Sequence, residues 1–217
     1  FLDSERSQSE LRVTPDMWNQ ARYYRNYGVI TAFLTNIQTL QIQQPANYSA
    51  NSIAELVQTT QKKARFRKNL FEGSYGSQSK DQQTVSQPDI LYIMDESFWD
   101  AAELEAYGVK FDRELTPNLT RLRGQAAYGK AYSPSFGGGT CDVEFEALTG
   151  YSKEFLPAGS KPYQQHITSH MQSLPNYLKT TQGYQTAAIH GYYKRFWSRI
   201  TAYPNLGLDR FVGLEDM

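Results

Sequence analysis

The chain has 217 residues, with 22 Lys+Arg against 22 Asp+Glu, and 11 Phe, 16 Tyr and 3 Trp among the 40% of it that is hydrophobic. This aromatic content excludes full disorder, the zero formal charge excludes a uniformly basic nucleic-acid binder, and the length suits one or two compact domains. A single cysteine, Cys141, excludes an internal disulfide and a cysteine zinc cage, and three histidines leave little room for a His-rich metal site.

No run approaches the roughly 18 apolar residues that would cross a bilayer. The first residues, Phe1 to Arg6, lack a starting Met and a signal-peptide pattern, and Phe211 to Met217 show no closing element, so the chain is expected to be cut from a longer protein.

Thr14 and Pro15 signal the start of a long helix, carried on by Trp18, Ala21, Tyr24 and Tyr27 and by Ile30, Phe33, Leu34 and Ile37 at helical spacing, with Gly28 weakening its middle. Ser52 and Glu55 have the spacing of a capping box for a second helix, which runs into the basic stretch Lys62-Lys63-Ala64-Arg65-Phe66-Arg67-Lys68. That stretch reads either as a solvated helix face or as a surface for polyanions or anionic lipid. Residues 72–88 are rich in Gly, Ser and Gln and read as a polar loop, dividing a helical segment, 1–71, from the part that follows, 89–217.

Beyond Pro88 strands and helices alternate. Ile90 to Met94 has strand length, and Thr116-Pro117 opens a helix that reaches about Ala127. Tyr128 to Tyr132 suggests a strand. Gly137-Gly138-Gly139 is a loop before a helix from Thr140 to Leu148, stopped by Gly150. Ser173 caps a helix ending at Gly183, Gln185 to Ile189 is a strand, Phe196 to Ala202 is helical, and Arg210 to Val212 is a last strand. The alternation predicts an α/β fold with a mostly parallel sheet flanked by helices and preceded by a helical segment.

Ligands in such sheets bind beyond the carboxyl ends of the strands. Three polar clusters fall there. Asp95-Glu96-Ser97 offers carboxylates suited either to a hard metal ion or to capping a helix. Ser135 to Asp142 places three glycines before Thr140, whose hydroxyl either caps the helix or attacks phosphorus once a metal lowers its pKa. His190 to Arg199 combines a histidine, cations and an indole, with Arg199 suited to bidentate phosphate binding and Trp197 to walling a pocket, or else forms a solvated turn with one buried aromatic. Glu144 and Glu146, two residues apart, point to different helix faces and make poor acid–base partners.

Tyr92 to Phe98, Gly138 to Phe145 and His190 to Arg199 resemble three successive motifs of the lipoteichoic acid synthase group of phosphoglycerol transferases, in the alkaline phosphatase and sulfatase superfamily. The likeness covers residues 88–217, and Asn26 to Gly28 and Gln44 to Ser49 resemble the stretch joining that group's membrane helices to its extracytoplasmic domain. The resemblance implies that Thr140 is the nucleophile receiving glycerol phosphate from phosphatidylglycerol. It implies that Glu96 and Thr140 ligate manganese or magnesium, and that His190, Trp197 and Arg199 bind substrate. The acceptor would be a glycerol phosphate polymer or a glycolipid, and the location the extracytoplasmic face of the cell membrane, anchored by helices of the parent chain.

Two departures stand out. An acidic residue common in the third motif is Tyr192 here, and the family's downstream Asp-His metal ligands and substrate histidine have no counterpart in these 217 residues. The chain is therefore expected to be an incomplete catalytic domain, inactive alone, because two ligands are too few for a stable divalent site. A sulfatase or phosphoethanolamine transferase is the alternative within the superfamily, with Cys141 as a formylglycine precursor if the alignment slips by one residue. A non-catalytic polyanion or membrane-surface module is the alternative outside it.

Overall fold

The structure is a computed structural model that describes residues 13, 16, 19–74, 87–136 and 138–217. Thr14, Pro15, Trp18, Gly137 and most of the expected polar loop lie outside the described residues, as do the side chains of Arg65, Arg67 and Lys68 in the basic run. The described residues up to Ile42 form one compact unit with Ile93–Met217, and Gln43–Tyr92 form another.

The second unit contains α3, Ala50–Ser74. Its N-terminus is capped one turn earlier than the expected box, because Ser49 Oγ accepts from Ser52 N at 3.1 Å. The helix also takes in residues 72–74 of the stretch read as loop.

In the first unit the expected long helix is two helices, α1 (Gln20–Tyr27) and α2 (Val29–Gln38). Gly28 breaks them at φ +78°, a region that side-chain-bearing residues avoid, and its N–H closes α1 on Tyr24 O at 3.0 Å. The helices pack as a pair through buried Tyr23 and Ala32 together with Val13, and the Tyr23 hydroxyl meets Thr35 Oγ1 at 2.5 Å. Ile30, Phe33 and Leu34, the expected apolar stripe, stand exposed.

Residues 90–94, expected as a strand, pair with no other strand among the described residues, and Ile90, Leu91, Tyr92 and Ile93 are exposed. A strand forms only where a neighbouring segment satisfies its backbone groups. The expected strand at 128–132 is likewise absent. Asp100 caps the 3₁₀ turn Ala101–Tyr107 through Ala102 N at 3.1 Å and accepts from Thr116 Oγ1 at 3.1 Å. Thr116 therefore does not cap the helix it precedes, α4 (Pro117–Arg123), which stops at Gly124 rather than near Ala127. Arg123 closes this corner with an ion pair to Asp100 at 2.9 Å.

The remaining elements are α5 (Thr140–Thr149), α6 (Pro162–Gln165), α7 (Leu174–Gln182), β1 (Ala187–Ile189), α8 (Arg199–Asn205) and β2 (Arg210–Val212); α6 was not expected from the sequence, and the others follow the expected order. Gly139 and Gly150 bracket α5 with positive φ, and Ser173 Oγ caps α7 by accepting from Asn176 N at 3.2 Å. Strands β1 and β2 are parallel, with Ala187 opposite Arg210 and Ile189 opposite Val212, and α8 lies on the connection between them. This is the expected α/β arrangement, with two strands among the described residues. The core lies under α5, α6 and α8: Cys141, Phe145, Tyr163, Ile167, Trp197, Ala202, Tyr203 and Leu206 are all buried in one cluster.

Candidate active site

Glu96 sits in a turn closed by Phe98 N donating to Asp95 O at 3.1 Å. Thr140, 44 residues later, is the first residue of α5, with Gly139 at φ +90° as its N-cap. The fold brings them together: Thr140 Oγ1 donates to Glu96 Oε2 at 3.3 Å, and Ser97 Oγ donates to the same oxygen at 3.1 Å. Thr140 does not cap its own helix, so its hydroxyl is directed across the loop to a carboxylate.

Cys141, the neighbouring candidate, is wholly buried in the apolar core. Burial pushes its thiol pKa well up, and the adjacent Asp142 carboxylate adds to that rise. A core thiol of this kind is inert, whereas half-buried Thr140 faces the candidate metal ligand.

Asp142 is fully buried and accepts at Oδ2 from Ser135 Oγ at 2.9 Å, from Lys161 Nζ at 2.8 Å and from Lys153 Nζ. Burial raises its pKa, but the two lysines outweigh that and hold the carboxyl below its ordinary value. A Cβ on Gly139 would lie 3.0 Å from both Asp142 Oδ2 and Lys161 Nζ. The glycine is therefore required by an internal ion pair, where the sequence suggested close approach of a ligand.

Glu144 lies one helical turn beyond Thr140, on the same face of α5. It takes Arg199 in a bidentate pair, Nη2 to Oε1 at 2.6 Å and Nε to Oε2 at 3.1 Å, and accepts from Tyr203 Oη at 3.1 Å. Arg199 is 1% exposed, and its Nη1 donates to Phe196 O at 3.2 Å. The residue expected to hold a phosphate is thus buried against α5. Burial alone would lower its pKa, but the Glu144 carboxylate raises it further, so the guanidinium stays charged. Trp197 is 6% exposed and packs in the core instead of walling an open pocket, with Lys161 Nζ 5.4 Å from its ring centre. Trp197 and Ser198 have φ of +56° and +57°, and this left-handed pair turns the chain from the Phe196–Ser198 helical turn into α8.

His190 follows β1, half-buried, and its Nδ1 accepts from Tyr192 N at 3.2 Å. Burial, and then the charge of Arg199, lower its pKa below 6.5, which leaves the imidazole neutral at pH 7.

Glu96 Oε2 and Thr140 Oγ1 are hard oxygen donors converging on one point, the chemistry a divalent cation such as Mn2+ or Mg2+ takes. Among the described residues no three His, Cys, Asp or Glu side chains group to hold a metal. Lys153, Lys161 and Glu144 were not legible as site residues. The only signal was the acidic spacing at Asp142 and Glu144 behind the glycine loop, whose basic partners lie 11, 19 and 55 residues downstream.

The sulfatase family profile matches residues 88–217. A Rhizobium meliloti (strain 1021) protein named for cyclic beta-1,2-glucan modification is 37% identical over 207 residues, covering 95% of this chain and 29% of its own length. The lipoteichoic acid synthase of Staphylococcus saprophyticus is 37% identical over 105 residues, 45% of this chain and 15% of that protein. The synthase of Staphylococcus aureus (strain USA300) is 36% identical over 108 residues, 46% and 16%. The crystal structure of the lipoteichoic acid synthase LtaP from Listeria monocytogenes aligns with a TM-score of 0.40 at 23% identity over 46% of this chain and 24% of that one. The chain thus spans less than a third of the length of each of these relatives. With the profile covering more than half of the chain, from before Glu96 to the end, the chain belongs to the sulfatase family, and within that family it is similar to lipoteichoic acid synthases.

Proposed function

We propose that this chain supplies the nucleophile of a metal-dependent phosphoglycerol transfer. The observation that carries this reading is the 3.3 Å contact from Thr140 Oγ1 to Glu96 Oε2, which sets an alcohol and a metal-type carboxylate on one point from positions 44 residues apart. In the first half-reaction Thr140 Oγ bonds to the phosphorus of phosphatidylglycerol, the phosphorus–oxygen bond to diacylglycerol breaks, and diacylglycerol takes up a proton. In the second, an acceptor hydroxyl displaces Thr140 Oγ from phosphorus, and the threonine recovers its proton. A divalent cation held by Glu96 and Thr140 would lower the hydroxyl's pKa. Two ligands fall short of the six oxygens Mg2+ prefers, so the remaining ligands would come from elsewhere in the whole protein. A phospholipid donor puts the reaction at a membrane surface, in this reading the extracytoplasmic one. Among the described residues no helix is long and apolar enough to cross a membrane.

Neutral His190 suits hydrogen bonding to the donor headgroup. Arg199 suits a positioning role better than direct phosphate contact, because its guanidinium is buried on Glu144, and Trp197 is likewise buried, in the core.

Two acceptors are in play. Similarity to lipoteichoic acid synthases favours the hydroxyl end of a glycerol phosphate polymer or glycolipid. The longer match, to the protein named for cyclic beta-1,2-glucan modification, favours a glucan hydroxyl. The test is to incubate the full-length protein with phosphatidylglycerol and Mn2+ and to follow diacylglycerol release and the mass of the Thr140 peptide. Glycerol phosphate on Thr140, and loss of release in Thr140→Ala, are expected. Release that survives Thr140→Ala overturns the reading. Supplying a cyclic glucan or a glycerol phosphate glycolipid as sole acceptor separates the two.

A further inference from the structure

The loop before Thr140 is stitched together at a single buried carboxylate. Asp142 Oδ2 takes the hydroxyl of Ser135, from the segment before the glycines, and the ammonium groups of Lys153 and Lys161, from the segment after α5. Asp142 is 0% exposed and Lys161 is buried as well. The placement of Lys161 is itself enforced, since its backbone N–H donates to Gln165 Oε1 at 2.5 Å and Gln165 Nε2 donates to Thr39 Oγ1 at 2.6 Å. The chain of contacts therefore runs from the end of α2 to the residue before the nucleophile, whose Cα has no room for a methyl group on this ion pair.

Lys153 and Lys161 meet at Asp142 Oδ2, two residues beyond Thr140 in the first turn of α5. The arrangement fixes the first turn of α5, and with it the direction in which the Thr140 hydroxyl meets Glu96.

We propose that Lys161, with Lys153 as its outer partner, is a positioning residue for the nucleophile, holding Asp142 and the glycine loop so that Thr140 faces Glu96. This inference rests on Thr140 being the nucleophile.

The experiment compares kcat and KM for phosphatidylglycerol in the full-length protein and its Lys161→Met, Lys161→Arg and Thr140→Ala variants. Lys161→Met is expected to lower kcat about tenfold or more and leave KM within about twofold, because a misdirected nucleophile slows the chemical step and not donor binding, and Lys161→Arg is expected to recover most of the loss. A purely structural lysine would not give this kcat-only pattern with rescue by charge. Full kcat in a folded Lys161→Met protein, or an equal loss in the Met and Arg variants, overturns the proposal. Should Lys161→Met not fold, Lys153→Met, at a more exposed position, carries the same comparison with the same outcomes. If Thr140→Ala is inactive while Lys161→Met runs at full rate, only the lysine proposal falls; if Thr140→Ala still turns over, both fall.

Discussion

Replacing Glu144 by Ala tests the physical argument for the Arg199 site most directly. In the intact protein the guanidinium of Arg199 is 1% exposed, and Glu144 accepts from its Nε and Nη2 and from the Tyr203 hydroxyl. The substitution strands a charge that water cannot reach and orphans a buried hydroxyl. Removing one partner of a buried ion pair costs about 3–5 kcal/mol, and an unsatisfied hydroxyl adds about 1 kcal/mol more. At about 2–4 °C per kcal/mol for a domain of this size, melting should fall by about 8 °C or more. The pair is not strongly stabilising against apolar packing, because desolvation offsets its Coulomb attraction. Glu144→Leu combined with Arg199→Met should therefore recover at least half of what Glu144→Ala loses. Thermal unfolding of the full-length protein followed by circular dichroism reads both numbers. A Glu144→Ala protein melting within about 2 °C of wild type would refute the buried-pair reasoning. A double variant no more stable than the single one would refute the desolvation part of it.

Gly139→Ala should be disproportionately damaging for an added methyl group. It forces a side-chain-bearing residue into φ +90° and sets a Cβ 3.0 Å from Asp142 Oδ2 and Lys161 Nζ, so a loss of about 1–2 kcal/mol in urea unfolding is expected, with transfer activity falling further than stability. Alanine at this position with unchanged stability would show that the ion pair does not abut the loop. Stability should also depend on pH through His166, whose pKa burial lowers below 6.5 and whose Nε2 is buried without a hydrogen-bond partner. The unfolded chain takes the proton first, so this contribution is present above about pH 6.5 and is lost as the pH falls below it. His166→Gln should flatten the stability profile between about pH 7 and pH 5, and an unchanged slope in urea unfolding would discount the histidine.

Local signals carried the latter part of the fold. The glycines around α5, the serine before α7 and the apolar runs of β1 and β2 are chemical instructions confined to a few neighbouring residues, and the structure follows them. The three polar clusters were visible for the same reason, whereas pairing Thr140 with Glu96 across 44 residues came from the family resemblance. What failed were readings that needed a distant partner. The run Ile90 to Met94 has the composition of a strand, but a strand exists only where another chain segment satisfies its backbone, and none of the described residues does so. The single helix expected through Gly28 became two because the backbone there takes up a positive φ.

The sequence by itself determined that Thr140 opens a helix behind glycines, that Glu96 lies in a polar cluster after an apolar run and that Arg199 lies near an indole. Only the tertiary structure decided what each of these groups touches. Glu144 neutralises Arg199 across 55 residues of chain, and Lys153 and Lys161 converge on Asp142, which turned a residue expected to bind phosphate into a buried partner and two unremarked lysines into supports of the first turn of α5. The physical reason is that backbone propensities act over a few residues, whereas a buried charge is tolerated only beside its counter-charge, wherever along the chain that counter-charge is encoded.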